Sequence, residues 1–337
     1  MSIAKPQTTS PSLIDIINQG FAAVNRRIWV IAAPVLLNLV IWYGAQVSIR
    51  PLVDSFVSLM QQQAAVIENA GSPEQIALWR QLGTYNVLPG LDALKLVPHL
   101  VPYEIVAPSE AGLALPAQVQ APLDPGRALL EVSNLGLALG LYAALNLLLI
   151  PLGAVFFTML AGAVRAESAG QSTFLVRSGR AIVSFLGYAA LLLAALLIIG
   201  LPLAIVGGLL VLVSPALGTF VALLVLTASF WLTIYLGFTP EAIVLGGLNP
   251  FQAIRASFGL VRRNFWSTLL LLVVSVLITI GLGMLWNVLV ESALGLPAAI
   301  IGSAYIGSGL IAARMVFYQV RIGNSGSRVA GNKLPQR

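Results

Sequence analysis

The chain has 337 residues, 58% of them hydrophobic and 9% charged. A soluble domain carries roughly 25% charged residues, so eighteen basic and twelve acidic side chains cannot cover a water-facing surface of this size. A soluble enzyme or a nucleic-acid binder is thereby excluded, and the net charge of +6 becomes a question of orientation. There is no cysteine, and His99 is the one histidine. Disulfides, zinc–thiolate and iron–sulfur centres, cysteine nucleophiles and multi-histidine metal sites drop out, and no cofactor is expected.

A bilayer core of about 30 Å needs roughly 20 apolar residues per helix. Residues 1–27 carry an amphipathic pattern too long for the start of a signal peptide, and predict a cytoplasmic amphipathic helix. Residues 28–48 form the first transmembrane segment, with its apolar run at Ile28–Val47. Residues 49–133 read as an extracytoplasmic insertion. Leu52, Phe56, Leu59 and Val66 predict a helix over Pro51–Asn69, and Ser72-Pro73-Glu74 reads as a second helix start. The Pro-rich stretch Leu88–Pro125 reads as extended coil on the membrane or on the outer ends of the spans. Residues 134–322 hold five further spans: Leu135–Val164, Ala181–Val213, Pro215–Phe238, Thr268–Val290 and Pro297–Gln319. The second of these is long, about 50 Å as a straight helix. Pro202 predicts a kinked helix that protrudes, with a short re-entrant piece at residues 200–213 as the alternative. Residues 323–337 read as a disordered cytoplasmic tail.

Orientation follows from the basic residues. Fourteen of them, against the acids Asp15, Glu167 and Glu241, fall on the side that holds both termini. Arg50, Arg80, Lys95 and Arg127 face nine acids on the other side. The first side reads as cytoplasmic, and six spans return both termini to it. The expectation is a multi-pass protein of the cell membrane.

Ile16–Trp29 and Ala253–Trp266 align at an offset of 237, and Phe, Val, an Arg and the Trp coincide. Phe251, Ile254, Phe258, Val261 and Phe265 recur at +3 and +4, which places them on one helix face. Both segments describe an amphipathic helix in the cytoplasmic interface, ending in a tryptophan at headgroup depth. A weaker third copy lies at Ser172–Phe185. The fold class is therefore all-α: a polytopic bundle of about six transmembrane helices with two or three cytoplasmic interfacial amphipathic helices.

Pro240-Glu241-Ala242-Ile243-Val244-Leu245, then Asn249-Pro250-Phe251-Gln252-Ala253-Ile254-Arg255-Ala256-Ser257-Phe258, then Arg263-Asn264-Phe265-Trp266, resembles a pattern in poorly characterised bacterial membrane proteins. These are similar to the membrane domain found with glycerophosphoryl diester phosphodiesterases. Tyr318-Gln319-Val320-Arg321 resembles the close of that domain. The likeness covers residues 11–50 and 135–322 and implies six helices with cytoplasmic amphipathic helices. The insertion at 49–133 departs from it. The sequence contains no hydrolase domain, so phosphodiesterase activity is not carried over.

Chemistry is sparse. His99 sits among prolines and reads as a packed or interfacial histidine. Asp92, Glu104 and Glu110 are scattered, and Gly281-Leu282-Gly283 is no phosphate loop. Arg314, late in the last span, reads as a snorkelling side chain. Asn38, Asn146 and Asn287 read as interhelical hydrogen-bonders. Glu241 reads as a partner of Arg255 or Arg263, or as a charge at a helix start. With no catalytic, cofactor or metal residues expected, the candidate site is a set of contacts: Arg26, Arg27, Trp29, Arg262, Arg263 and Trp266. Each cation near an anionic leaflet contributes about 1 kcal/mol. These residues would meet anionic lipid headgroups of the bilayer, or a protein partner at the cytoplasmic face; nucleic acid is excluded. The expected function is a non-enzymatic membrane scaffold or a part of envelope or lipid homeostasis. The alternative is a transporter or permease component for a lipid-like or neutral solute.

Overall fold

Residues 11–64, 73–106, 115–118, 123–167, 171–292 and 294–331 are described by the computed structural model. In chain order they form α1 (Leu13–Arg26), α2 (Ala32–Tyr43), β1 (Gln46–Ser48), α3 (Arg50–Ala64), α4 (Pro73–Leu82), β2 (Tyr103–Val106), β3 (Leu115–Gln118) and β4 (Leu129–Glu131). Then follow α5 (Leu135–Val164), α6 (Gln171–Ala195), α7 (Leu201–Val213), α8 (Pro215–Leu236), α9 (Thr239–Gly246), α10 (Pro250–Arg263), α11 (Phe265–Val290) and α12 (Gly295–Gly331). Among the described residues five helices are long and apolar enough to cross a membrane, and the bent pair α1–α2 makes six if it is counted as one span.

Local chemistry sets the ends of the two amphipathic helices. Ser12 caps α1: its hydroxyl accepts from the Asp15 amide at 3.2 Å, and the Asp15 carboxylate accepts from the Ser12 amide at 3.0 Å. Asn249 caps α10 by accepting from the Gln252 amide at 2.9 Å, with Pro250 in the first turn. Both helices have 14 residues. At the offset of 237 their limits coincide, and so do their buried positions. Ile16, Gly20, Ala23 and Val24 in α1 correspond to Ala253, Ser257, Leu260 and Val261 in α10. The repeat thus extends from sequence to packing. After Arg27 the chain turns by 92° through Ile28–Ile31 into α2; after Asn264 it continues into α11. Ser172–Phe185 lies in the unbroken α6 and makes no comparable turn.

The long third span is one helix. A π-helical stretch, Leu196–Gly200, joins α6 to α7, just where Pro202 removes a backbone donor. The chain stays helical to Val213, so residues 200–213 are a continuation and not re-entrant. The chain also stays helical beyond residue 322. Residues 324–331, expected as a disordered tail, belong to α12, and residues 332–337 lie outside the described residues.

Two compact units result, each described alone. The first comprises Met1–Val30, Ala154–Val276 and Ser308–Arg337. Its core includes Phe156, Leu160, Phe185, Phe238 and Phe317. Gly20 lets α1 approach α12 closely: a Cβ there would meet the Ala313 backbone at 2.4 Å. In α10 the corresponding Ser257 donates to the Tyr235 carbonyl at 2.6 Å and accepts from the Phe238 amide at 3.1 Å.

The second unit comprises Ile31–Gly153 and Leu277–Gly307. Here Leu100, in the Pro-rich stretch, rests on the ends of α2, α11 and α12, as expected from the sequence, while Leu96 and Pro98 reach interior positions. Leu96, Val97 and Leu100 are buried. Leu96 lies against Gly153, inside α5, and Pro98 against Gly307, inside α12. Leu100 joins Ala299 and Ile300 in an apolar cluster with Val35, Trp42 and Trp286. Irregular backbone survives at such a place only where its polar groups are matched. Asn38 accepts from the Leu100 amide at 2.5 Å and donates to the Pro98 carbonyl at 3.3 Å. Asn146 accepts from the Ala93 amide at 2.9 Å and donates to the Leu91 carbonyl at 2.8 Å. These asparagines hold the insertion, where interhelical bonding was expected. The periodicity did not predict the strands, three of them in the insertion and one, β1, in the last residues of the expected first span, whose helix ends at Tyr43. β1 pairs in parallel with β4 (Gln46↔Leu129, Ser48↔Glu131), and β2 pairs antiparallel with β3.

Candidate functional site

Helices end with carbonyls that lack intrahelical partners and carry partial negative charge. In the first unit, arginines close several of these ends. Arg26 Nη2 donates to the Ala163 carbonyl at 3.1 Å, in the last turn of α5. Arg27 Nη2 donates to the Glu167 carbonyl, just beyond that helix. Arg165 Nη2 donates to the Leu245 carbonyl near the end of α9, and Arg314 Nη2 to the Gly237 carbonyl at the end of α8.

The turn after α5 is shaped for this. Ala166 has φ 54°, in the left-handed region that favours glycine. The Ala166 amide bonds the Ala163 carbonyl and the Glu167 amide bonds the Gly162 carbonyl, each at 3.3 Å. That 6→1 closure turns Glu167 back toward the helix end. Its carboxylate meets Arg177 at 2.5 Å and Arg165 at 4.0 Å. The hydrogen bond from Arg177 holds the Glu167 carboxyl below its ordinary range.

Arg314 corrects one expectation; Glu241 stands in the first turn of the short helix α9, as one of its two readings had it, but finds a different partner. Arg314 does not snorkel. Its Nη2 lies 2.9 Å from Oε1 of Glu241, whose side chain is 0% exposed, and its guanidinium stands over the Phe238 ring at 5.3 Å. Glu241 therefore pairs with Arg314, and with neither Arg255 nor Arg263. Lateness in the span suggested escape to water; the α8–α9 turn instead brings a carboxylate and a carbonyl to the arginine.

The six candidate contacts divide. Arg26 and Arg27 hold carbonyls. Arg262 and Arg263 are exposed in the last turn of α10, with no hydrogen bond or ion pair among the described residues. Trp29 is 55% exposed and Trp266 78%. No hydrogen bond, ion pair or ring contact among the described residues joins the Arg26–Arg27–Trp29 group to the Arg262–Arg263–Trp266 group. Trp266 instead closes a ring series: Trp231 to Phe265 at 6.0 Å, and Phe265 to Trp266 at 5.3 Å. Sequence reasoning passed over Arg165, Arg177 and Arg180. They were counted for orientation, and the signal available was Arg177 and Arg180 at a spacing of three, on one helix face. Among the described residues no group of three or more His, Asp or Glu could hold a metal ion. Surplus cations at helix ends suit the binding of anions.

No curated protein and no solved structure matches the chain. Residues 111–324 match a family described as a domain of unknown function, DUF7847. The match contains Glu241, Arg262, Arg263, Trp266 and Arg314, and leaves out Arg26, Arg27 and Trp29. It spans more than half of the sequence, and the chain belongs to that DUF7847 family.

Proposed function

We propose that this is a non-enzymatic integral membrane protein that engages anionic lipid headgroups, as a scaffold or in envelope or lipid homeostasis. The reading is carried by the end of α10. Arg262 and Arg263 make no hydrogen bond or ion pair among the described residues and precede the exposed Trp266, and on the same helix Phe251 is 63% exposed and Phe258, stacked on Tyr235, 48%. Aromatic rings at headgroup depth with cations beside them suit an anionic leaflet. The excess of basic residues on this side supports placing it, with both termini, in the cytoplasm, and α1 and α10 as interfacial helices. A protein partner at the same face would use the same residues. The likeness to the membrane domain of glycerophosphoryl diester phosphodiesterases bears on architecture alone.

The test is stability in nanodiscs. Phosphatidylglycerol discs should raise the melting temperature above that in phosphatidylcholine discs. The variant Arg262→Ala/Arg263→Ala/Trp266→Ala should lose that gain. Equal stability in both lipids would reject the reading. One observation favours the alternative, a permease component: the irregular segment Leu96–Leu100 lies against interior positions of α5 and α12. Such breaks also occur where a membrane protein lines a path. Uptake of a neutral solute into vesicles would decide for that reading.

A further inference from the structure

Beside the turn after α5, in the first unit, lies a chamber of about 370 Å³. Trp29, Met159 and Phe174 give it an apolar wall, and Arg27 and Arg177 a cationic end. A recess of about 50 Å³ adjoins it; Thr158, Gly162 and Arg177 line both. Arg165 and Arg180 complete the recess. Gly162 lines both spaces, and a Cβ there would stand in van der Waals contact, at 3.4 Å, with Arg27 Nη1, so a longer side chain would enter the cleft.

The charge is unbalanced. Four guanidiniums line the joined cleft. Among the described residues one carboxylate, Glu167, pairs with any of them, taking Arg177 at 2.5 Å and Arg165 at 4.0 Å. Arg180 has no ion pair among the described residues. Arg177 lines both spaces, with Arg27 beside it in the chamber and Arg165 and Arg180 in the recess, and planar guanidiniums match a phosphate group, which accepts paired N–H donors. The apolar wall beside them matches the start of an acyl chain.

Resting on the lipid-engaging reading above, the geometry points to this cleft as a discrete binding site for one anionic phospholipid, its phosphate held by Arg27, Arg177 and Arg180 and its glycerol and first methylenes laid against Trp29, Met159 and Phe174. The site differs from the α10 end in being concave. It would select one lipid molecule, where an exposed cation–aromatic surface responds to the leaflet as a whole.

The full chain in detergent can be assayed by native mass spectrometry against phosphatidylglycerol, phosphatidic acid and phosphatidylcholine, with inorganic phosphate as competitor. One phosphatidylglycerol or phosphatidic acid should bind at least tenfold more tightly than phosphatidylcholine. Arg177→Ala/Arg180→Ala should remove that preference. Gly162→Leu keeps every arginine and fills the cleft; it should weaken binding at least tenfold, and it stands as the test if the double variant fails to fold. Equal binding of phosphatidylcholine, or wild-type binding by Gly162→Leu, would overturn the site. Displacement of the lipid by millimolar inorganic phosphate would make the occupant a soluble phosphate and overturn the lipid assignment. The nanodisc result with the Arg262/Arg263/Trp266 variant is independent, so the two readings fail separately.

Discussion

The two units meet one physical problem with different side chains. Both must satisfy backbone groups that leave regular helix inside an apolar bundle. The first unit uses arginine: Arg26, Arg27, Arg165 and Arg314 each donate to a carbonyl at or beyond a helix end. The second relies on neutral amides: Asn38 and Asn146 each bind both an amide and a carbonyl of the buried insertion, and the Asn86 side-chain oxygen accepts from the Val47 amide at 3.0 Å. Arg127 is the exception there, donating to the Ile41 and Gly44 carbonyls at the end of α2. A guanidinium only donates, so it suits a cluster of orphan carbonyls and interacts well with the helix dipole. An amide both donates and accepts, so it suits an extended strand that presents N–H and C=O together. The basic bias that signals orientation is thus partly structural, and the arginines outside that work stand out as contacts.

The largest effect should come where charge is most deeply buried. Arg314→Met leaves the Glu241 carboxylate, 0% exposed, without its cation. Breaking such a pair from one side costs about 3–5 kcal/mol. Thermal unfolding in detergent should show the loss, and Arg314→Met/Glu241→Leu should recover most of it. If the double variant is no better than the single, the pair is not the source of the effect.

Asn38→Ala probes the neutral solution. It strands the Leu100 amide and the Pro98 carbonyl, at about 1–3 kcal/mol for a buried group left unsatisfied. Hydrogen exchange should quicken at Leu100 and its neighbours while α10 stays protected. A loss as large as that of Arg314→Met would erase the contrast between the units. A smaller change of opposite sign is expected at the turn after α5. Ala166→Gly relieves a left-handed alanine and should stabilise by about 0.5–1 kcal/mol, read as a rise in melting temperature.

Some of this was legible in the residues and some was not. α5 is found at Leu135–Val164, the limits hydropathy predicts, since an uninterrupted apolar run flanked by polar residues leaves little choice. The match between α1 and α10 was legible because capping and spacing are local. Pro202 was legible as a disturbance, but its outcome, a π-helical stretch instead of a break, depends on neighbouring turns taking up the lost bond. Arg314 with Glu241, and Asn38 with Leu100, are pairings between residues far apart in the chain. Nothing within a helical turn of either partner points to the other. The cleft was illegible for the same reason: Arg27 comes from the end of α1, Arg165 from the end of α5, and Arg177 from α6.

The smallest effect tests whether the exposed end of the arginine system behaves differently from its buried core. The Glu167 side chain is 40% exposed, and its pairing with Arg177 is screened by water, so it contributes about 0.2–1 kcal/mol. The pairing holds the carboxyl below its ordinary value of 4.5. A depressed carboxyl stabilises the fold fully above its unfolded value, and the contribution fades as pH falls through the lower, folded value. Melting temperatures of the wild type and Glu167→Gln should therefore differ by a constant small amount above pH 5 and converge as the pH falls below 4.5. At neutral pH phosphatidylglycerol should bind the variant more tightly than the wild type, because Gln removes the carboxylate that competes for Arg177. A difference in melting temperature that persists unchanged to pH 3 would place its origin in packing, and would detach Glu167 from the charge balance of the cleft.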